Sequence, residues 1–229
     1  MGNHARSLNG EMYLSPPSGG QYILTYPIEH HKTINMVAVV SDHTCPHKWM
    51  HESWLQPSTH DEILQDFPGW DPALVGLFAR FGSRDKWALF DYPNTDDRAY
   101  FRGRVCLVGD AAHATTPHLG GGAGMAFEDA YILADLLGNE MPCDPKRLEA
   151  VFGAYDAVRR PRTQEMVKLS RLTGLAYMLR EEEGVHLEKT RKNISTRLHW
   201  VWNGDLEESL ARAKEFVKTQ SYQPFSRIG

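Results

Sequence analysis

Cysteine is scarce in this chain, three in 229 residues and none at paired spacing. That rules out a disulfide framework and predicts a reducing, intracellular setting, taken as cytoplasmic. Long hydrophobic runs are lacking as well. The longest, Met36–Val40 and Val105–Val108, fall far short of the roughly 18 to 20 apolar residues that cross a bilayer as a helix, so no membrane partner is predicted. The opening Met-Gly-Asn-His-Ala-Arg-Ser has no apolar stretch of the kind a secretory signal needs, and without secretion the Asn193-Ile-Ser195 triplet reads as an unused glycosylation sequon. An excess of positive charge is missing too. With 25 basic and 29 acidic residues mixed along the chain, the formal net charge is −4, which argues against nucleic acid as a partner. What the chain does have is apolar material, 41% of its residues, enough to build a core in one large domain or two small ones.

Met12–Leu14, Gln21–Ile28 and Thr33–Ser41 read as the strands of an antiparallel meander, separated by Pro16-Pro17-Ser18-Gly19-Gly20 and by the polar Glu29–Lys32. Tyr22, Leu24, Tyr26 and Ile28 alternate with Ile23, Thr25 and Pro27, so one face of the middle strand carries two tyrosines. The unbroken Val37–Val40 reads as central. Ser58, with Glu62 nearby, resembles a helix N-cap region ahead of Ile63, Leu64 and Phe67; a second helix is expected from Pro72, and Trp87–Asp91 reads as a strand. Arg104–Val108 is expected to form a short buried strand that stops at Gly109-Asp110. After the loop Ala111–Leu119, the cluster Gly120–Gly124 leads into a helical pattern over Met125–Leu137. A long helix is expected from Pro145 to about Arg180 with Pro161 as a kink or joint, and another from Leu206 to Val217.

The order of strand, acid, glycine-rich loop and helix carries chemistry. Glycines at a helix start let a ligand touch the backbone, where the free amides of the first turn favour negative charge. Asp110, at the carboxyl end of the expected strand, is placed to accept hydrogen bonds from sugar-like hydroxyls. Spacing alone leaves two plainer readings open, a flexible turn for Gly120–Gly124 and a turn or helix cap for Asp110.

The run Gly103-Arg-Val-Cys-Leu-Val-Gly109-Asp110-Ala-Ala-His113-Ala-Thr-Thr-Pro117-His118-Leu-Gly120-Gly-Gly122-Ala123-Gly124-Met-Ala-Phe-Glu128-Asp129-Ala130 resembles the second FAD-binding motif of the single-component flavoprotein aromatic hydroxylases, most of all the branch containing salicylate hydroxylase and related fungal enzymes. Tyr26-Pro27, Asn35, Trp54, Trp87-Ala-Leu-Phe-Asp91 and Arg159-Arg160-Pro161-Arg162 stand in the order this family shows, so the likeness runs from about Glu11 to Leu179. The resemblance implies an α/β (α+β) protein: part of a substrate-binding domain with an antiparallel sheet over 1–100, the carboxyl-terminal part of an FAD-binding domain over 101–180, and a helical tail over 181–229. It implies hydroxylation of a small phenolic or related aromatic substrate with FAD, NAD(P)H and O2. Asp110 would hold the ribityl hydroxyls of FAD, Pro117 and Gly120 would shape the loop beside the ring, and amides around Gly122, Ala123 and Gly124 would face the pyrimidine edge, where negative charge develops.

Glu128 and Asp129 read as structural first-turn acids favoured by the helix dipole, and neither His113 nor His118 is assigned proton transfer. Tyr26, on the meander that walls the substrate in this family, is the candidate for deprotonating the substrate, against the plainer reading of a core or edge aromatic. His43, His47 and His51, near Cys45, share a helical spacing that raises a metal site, but Pro46 interrupts it and no metal is assigned. The Gly-x-Gly-x-x-Gly turn with which the family begins does not occur. Its absence is expected to mean a truncated sequence, a half that pairs with a separate N-terminal FAD-binding half as partner, or a degenerate relative that no longer binds flavin; the alternative to an enzyme is a non-catalytic fragment with a binding or regulatory role.

Overall fold

The computed structural model describes residues 11–14, 20–41, 49–78, 80, 82–140, 145–178 and 187–220. These divide between two compact units, one drawn from Met1–Ala88 and Gly174–Thr190, the other from Leu89–Thr173 and Arg191–Gly229. Every ladder among the described residues is antiparallel, and the remainder is mostly helix. This is the mixed α+β class that the sequence implies.

In the first unit β1 (Glu11–Leu14), β2 (Gln21–Ile28) and β3 (Thr33–Val40) form a sheet in that order. β2 is therefore the central strand and the Val37–Val40 run lies on the neighbour, because pairing, not the length of an apolar run, sets strand order. At its start β2 is covered on both faces. Tyr22 packs with Val39, Tyr177 and Met178, while Ile23, on the opposite face, is sealed among Phe67, Trp70 and Phe78. The β2–β3 turn places Glu29, His30 and His31 consecutively at φ 50°, 55° and 65°, a left-handed turn built without glycine and hence under strain.

β4 (Leu55–Ser58) pairs with β5 (Arg84–Trp87). Ser58 spends its backbone on that ladder opposite Arg84, so the cap of α1 (His60–Gln65) falls one residue later than expected. Thr59 accepts the Glu62 N–H, and the Glu62 carboxylate accepts the Thr59 N–H at 2.7 Å, a reciprocal capping box. The second strand occupies 84–87 rather than 87–91: beyond Trp87, opposite Leu55, one bond remains, from the Ala88 N–H to the Trp54 carbonyl at 2.9 Å, and no ladder partner follows among the described residues. α2 spans Pro72–Phe78.

The second unit starts from a small hairpin, β6 (Phe101–Arg102) and β7 (Val105–Cys106). The buried strand expected at Arg104–Val108 is thus two residues long, and Val105 is 66% exposed. Among the described residues β7 has a neighbour on one side only; Cys106 packs against the core, while Val105, Leu107 and Val108 are exposed. Then come α3 (Asp110–His113), a 3-10 turn at Pro117–Leu119, α4 (Gly122–Glu140), α5 (Pro145–Tyr177), α6 (Leu187–Thr196), α7 (His199–Trp202) and α8 (Leu206–Gln220). Ile132 and Leu136 of α4, Val151 and Tyr155 of α5, and Leu210, Ala213 and Val217 of α8 meet in one core. α5 continues through Pro161 rather than ending there, with the Thr163 hydroxyl bonded back to the Arg159 carbonyl at 3.1 Å.

Candidate functional site

The start of α4 is bare. The Met125 N–H bonds to the Gly121 carbonyl at 3.0 Å, and by helix geometry the amides of Gly122, Ala123 and Gly124 before it have no acceptor within the helix. Ala123 and Gly124 are exposed, and a Cβ added to Gly124 would touch nothing. The loop that approaches this helix end is fastened to α5. Buried Ser170 donates to the Thr116 carbonyl and receives the Thr116 hydroxyl at 3.2 Å and the Leu119 N–H at 3.4 Å. Pro117 opens the 3-10 turn, and Gly120 closes it in the left-handed region at φ 65°. Gly121 lies so close to Met166 that a Cβ there would come within 2.9 Å of its sulfur.

Asp110 is the exposed first residue of α3. Gly109 before it takes φ 56° and ψ −139°, a conformation that only glycine adopts without strain. A Cβ on Gly109 would stand 3.4 Å from that of Ala126, so this turn and α4 lie against each other.

Beneath both runs a buried polar network. Asp129 Oδ2 accepts the Gly109 N–H at 3.0 Å and lies 2.6 Å from His113 Nε2, and Oδ1 accepts Arg159 Nε–H at 2.8 Å. The Asp129 and Arg159 side chains are both 0% exposed. Arg159 also donates to the Met125 carbonyl and to Glu128. Glu128 takes a two-pronged contact from Arg162, at 2.7 and 2.8 Å, and Arg162 reaches on to the Trp200 and Val201 carbonyls. Burial, the largest influence on Asp129, pushes its carboxyl up, but the bonds from His113, Arg159 and Gly109 together hold it below the usual range. Glu128 is likewise held low, with Arg162 and Arg159 outweighing burial. These acids belong to the second turn, and the first turn of α4 has none. Arginines hold Glu128, and His113 with Arg159 and the Gly109 N–H hold Asp129, in place of a helix dipole. Burial also pushes the His118 imidazole down to about 4, against the pull of Asp91.

The structure brings Asp110, Pro117, Gly120, Gly122, Ala123 and Gly124 into the second unit, five of them exposed and Gly122 partly so. Tyr26 stands in the first unit, 39% exposed and opposite Asn35 in the ladder. The sequence reading places Arg159 in the family's order without giving it a role, and does not single out Ser170, because their partners are 30 and 54 positions away. One signal was available. Tyr155, Arg159, Thr163, Met166 and Ser170 recur on the face of α5 that is buried, and an arginine in such a stripe needs a partner. Among the described residues no three His, Cys, Asp or Glu side chains converge as a metal site; His43, Cys45 and His47 lie outside the described residues.

A family profile described as FAD binding domain matches residues 7–170. Salicylate hydroxylase of Pseudomonas putida is 39% identical over 196 residues, covering 84% of this chain and 44% of that protein. The FAD-dependent monooxygenase pigN of Monascus ruber is 33% identical over 220 residues, 92% of this chain and 49% of its own. A solved salicylate hydroxylase substrate complex superposes with a TM-score of 0.79 at 36% identity, covering 89% of this chain and 49% of that one. The chain spans about half the length, or a little less, of these relatives. With the profile covering most of its length, the chain belongs to the FAD binding domain family, and over about half of their length it is similar to salicylate hydroxylase and other flavoprotein monooxygenases.

Proposed function

We propose that this chain supplies the ribityl and ring side of a flavin site in an FAD-dependent monooxygenase that hydroxylates a small phenolic or related aromatic substrate with NAD(P)H and O2. One observation carries the reading: an exposed carboxylate, Asp110, and three helix-end amides, Gly122 to Gly124, stand over a common buried base. That donor set fits the group, with an acceptor for hydroxyls beside donors that favour the electron-rich edge of the ring. FAD, when bound, supplies the redox chemistry with oxygen. The residues of this chain hold and orient it: Asp110 accepts from the ribityl hydroxyls, the three amides donate to the pyrimidine edge, and Pro117 and Gly120 shape the adjoining loop. Tyr26, on the exposed half of β2, takes the role of proton acceptor for a phenolic substrate.

On this reading 1–100 serve the substrate side, 101–180 the flavin side and 181–229 a helical tail, in a cytoplasmic protein. No helix among the described residues is long and apolar enough to cross a membrane. The apolar residues exposed at 105–108, together with the lack of a Gly-x-Gly-x-x-Gly turn, support a further FAD-binding half as partner, on this polypeptide or another. The second reading is a binding or regulatory role without catalysis. Titrating FAD by fluorescence quenching with such a half present, alongside substrate-dependent NAD(P)H oxidation, separates the two. Quenching with turnover supports the enzyme, quenching without turnover the binding role, and no quenching at all refutes the flavin site.

A further inference from the structure

We propose that Asp129 is a positioning residue for the flavin site: its carboxylate holds the Gly109 turn, and with it Asp110, at a set spacing from the amides of α4. This rests on the flavin reading for what Asp110 binds, and on the hydrogen bonds alone for the hold on the turn. α3 is four residues long, too short for its internal bonds to fix its own direction. Its direction therefore follows from whatever holds its two ends. Both ends meet the same atom, since Asp129 Oδ2 faces the Gly109 N–H at 3.0 Å on the entering side and His113 Nε2 at 2.6 Å on the leaving side. The other oxygen, Oδ1, takes Arg159 Nε–H at 2.8 Å, and the same guanidinium donates to the Met125 carbonyl at 3.1 Å, one turn nearer the glycine end of α4.

The carboxylate is thus attached to α4, braced from α5, and closed over α3. The two arms of the site, Asp110 and the Gly122–Gly124 amides, keep their distance because both refer to it. Gly109 has no intrinsic preference for φ 56° and ψ −139° over the rest of its wide range, so the turn must be imposed by its neighbours. A fully buried carboxylate and guanidinium contribute little net stability compared with an apolar pair of the same size. Their directional bonds to the one turn next to Asp110 supply what an apolar pair would not.

The test compares the full chain with Asp129→Asn, His113→Phe and His113→Gln, and with Val151→Ala as a control that opens a cavity in the hydrophobic core while leaving every hydrogen-bonding group of the turn in place. Exchange of the Gly109 amide proton is followed by NMR, and FAD affinity by fluorescence quenching with the complementary FAD-binding half present. Asp129→Asn and His113→Phe are expected to speed Gly109 exchange and weaken FAD by about tenfold each. His113→Gln, whose amide still donates towards Asp129, should recover much of both. Val151→Ala should lower the melting temperature and move neither. Wild-type Gly109 protection in Asp129→Asn, or an equal change in Val151→Ala, overturns the proposal. If Asp129→Asn does not fold, the two His113 variants decide it. Should the unmodified chain quench no FAD even with that half present, the flavin reading fails, and Gly109 exchange still shows whether Asp129 holds the turn.

Discussion

Asp110 and the amides of Gly122 to Gly124 divide the candidate site by charge, and substitutions should separate their roles. Asp110→Ala removes a charged acceptor worth about 1.5 to 3 kcal/mol, so FAD is expected to bind roughly ten- to hundredfold more weakly in a quenching titration with the complementary half present. Ala123→Asp, at an exposed first-turn position, sets a carboxylate where the ring becomes anionic; affinity and reoxidation rate should both fall while the melting temperature holds. His113→Ala strands Asp129 without one of its donors and should cost about 1 to 3 kcal/mol of stability, yet leave turnover at saturating FAD largely intact, because the imidazole is buried on Asp129. His118 has a pH signature. Its folded pKa, about 4, lies below the ordinary 6.5, so the unfolded chain takes up the proton first and stability falls as pH drops from 6.5 towards 4. The loss is at most about 3 kcal/mol. His118→Asn should flatten that part of the pH–melting curve; an unchanged slope would show the imidazole titrating normally.

At the scale of elements, the β2–β3 turn and the C-terminal helices make separate predictions. Glu29, His30 and His31 all stand in the left-handed region, where each non-glycine residue costs about 1 to 2 kcal/mol. His30→Gly should therefore raise stability by about 1 kcal/mol in chemical denaturation, net of the greater freedom glycine has when unfolded. Glu128 joins Arg159 of α5 to Arg162, whose guanidinium also lies over the Trp200 ring at 5.0 Å from its centroid. Glu128→Gln should loosen residues 198–204 and raise amide exchange there. The elements themselves were legible where local rules suffice. β2, α4 and α8 follow from alternation and helical spacing, and α1 from its capping box, misplaced by one residue because the β4–β5 ladder had prior claim on Ser58. α6 is mostly polar and carries two apolar residues, Leu187 and Ile194, too few to announce it.

The whole chain exposes apolar side chains at Val105, Leu107 and Val108, beside a strand with one neighbour among the described residues. Alone, it should purify without flavin colour and tend to self-associate through that edge. Val105→Lys, at a position already 66% exposed, should reduce light scattering without lowering the melting temperature. A stoichiometric flavin spectrum from the isolated chain would show that no complementary half is needed.

The sequence by itself determined the α+β class, the family, and the short run in which a carboxylate and a glycine-rich helix start succeed one another. Those are local properties, set by side-chain period, glycine placement and the order of residues within one stretch. Tertiary structure alone decided that Glu128 answers to arginines and Asp129 to His113 and Arg159 rather than to a helix dipole, that Ser170 and Met166 hold the loop, and that the expected strand at 104–108 is short and largely exposed. Each of these depends on a partner tens of residues distant, or on a neighbour that a strand either has or lacks. No local pattern encodes such a partner, because a charge, a hydroxyl or a strand edge acquires its role from whatever the fold brings within a few ångströms.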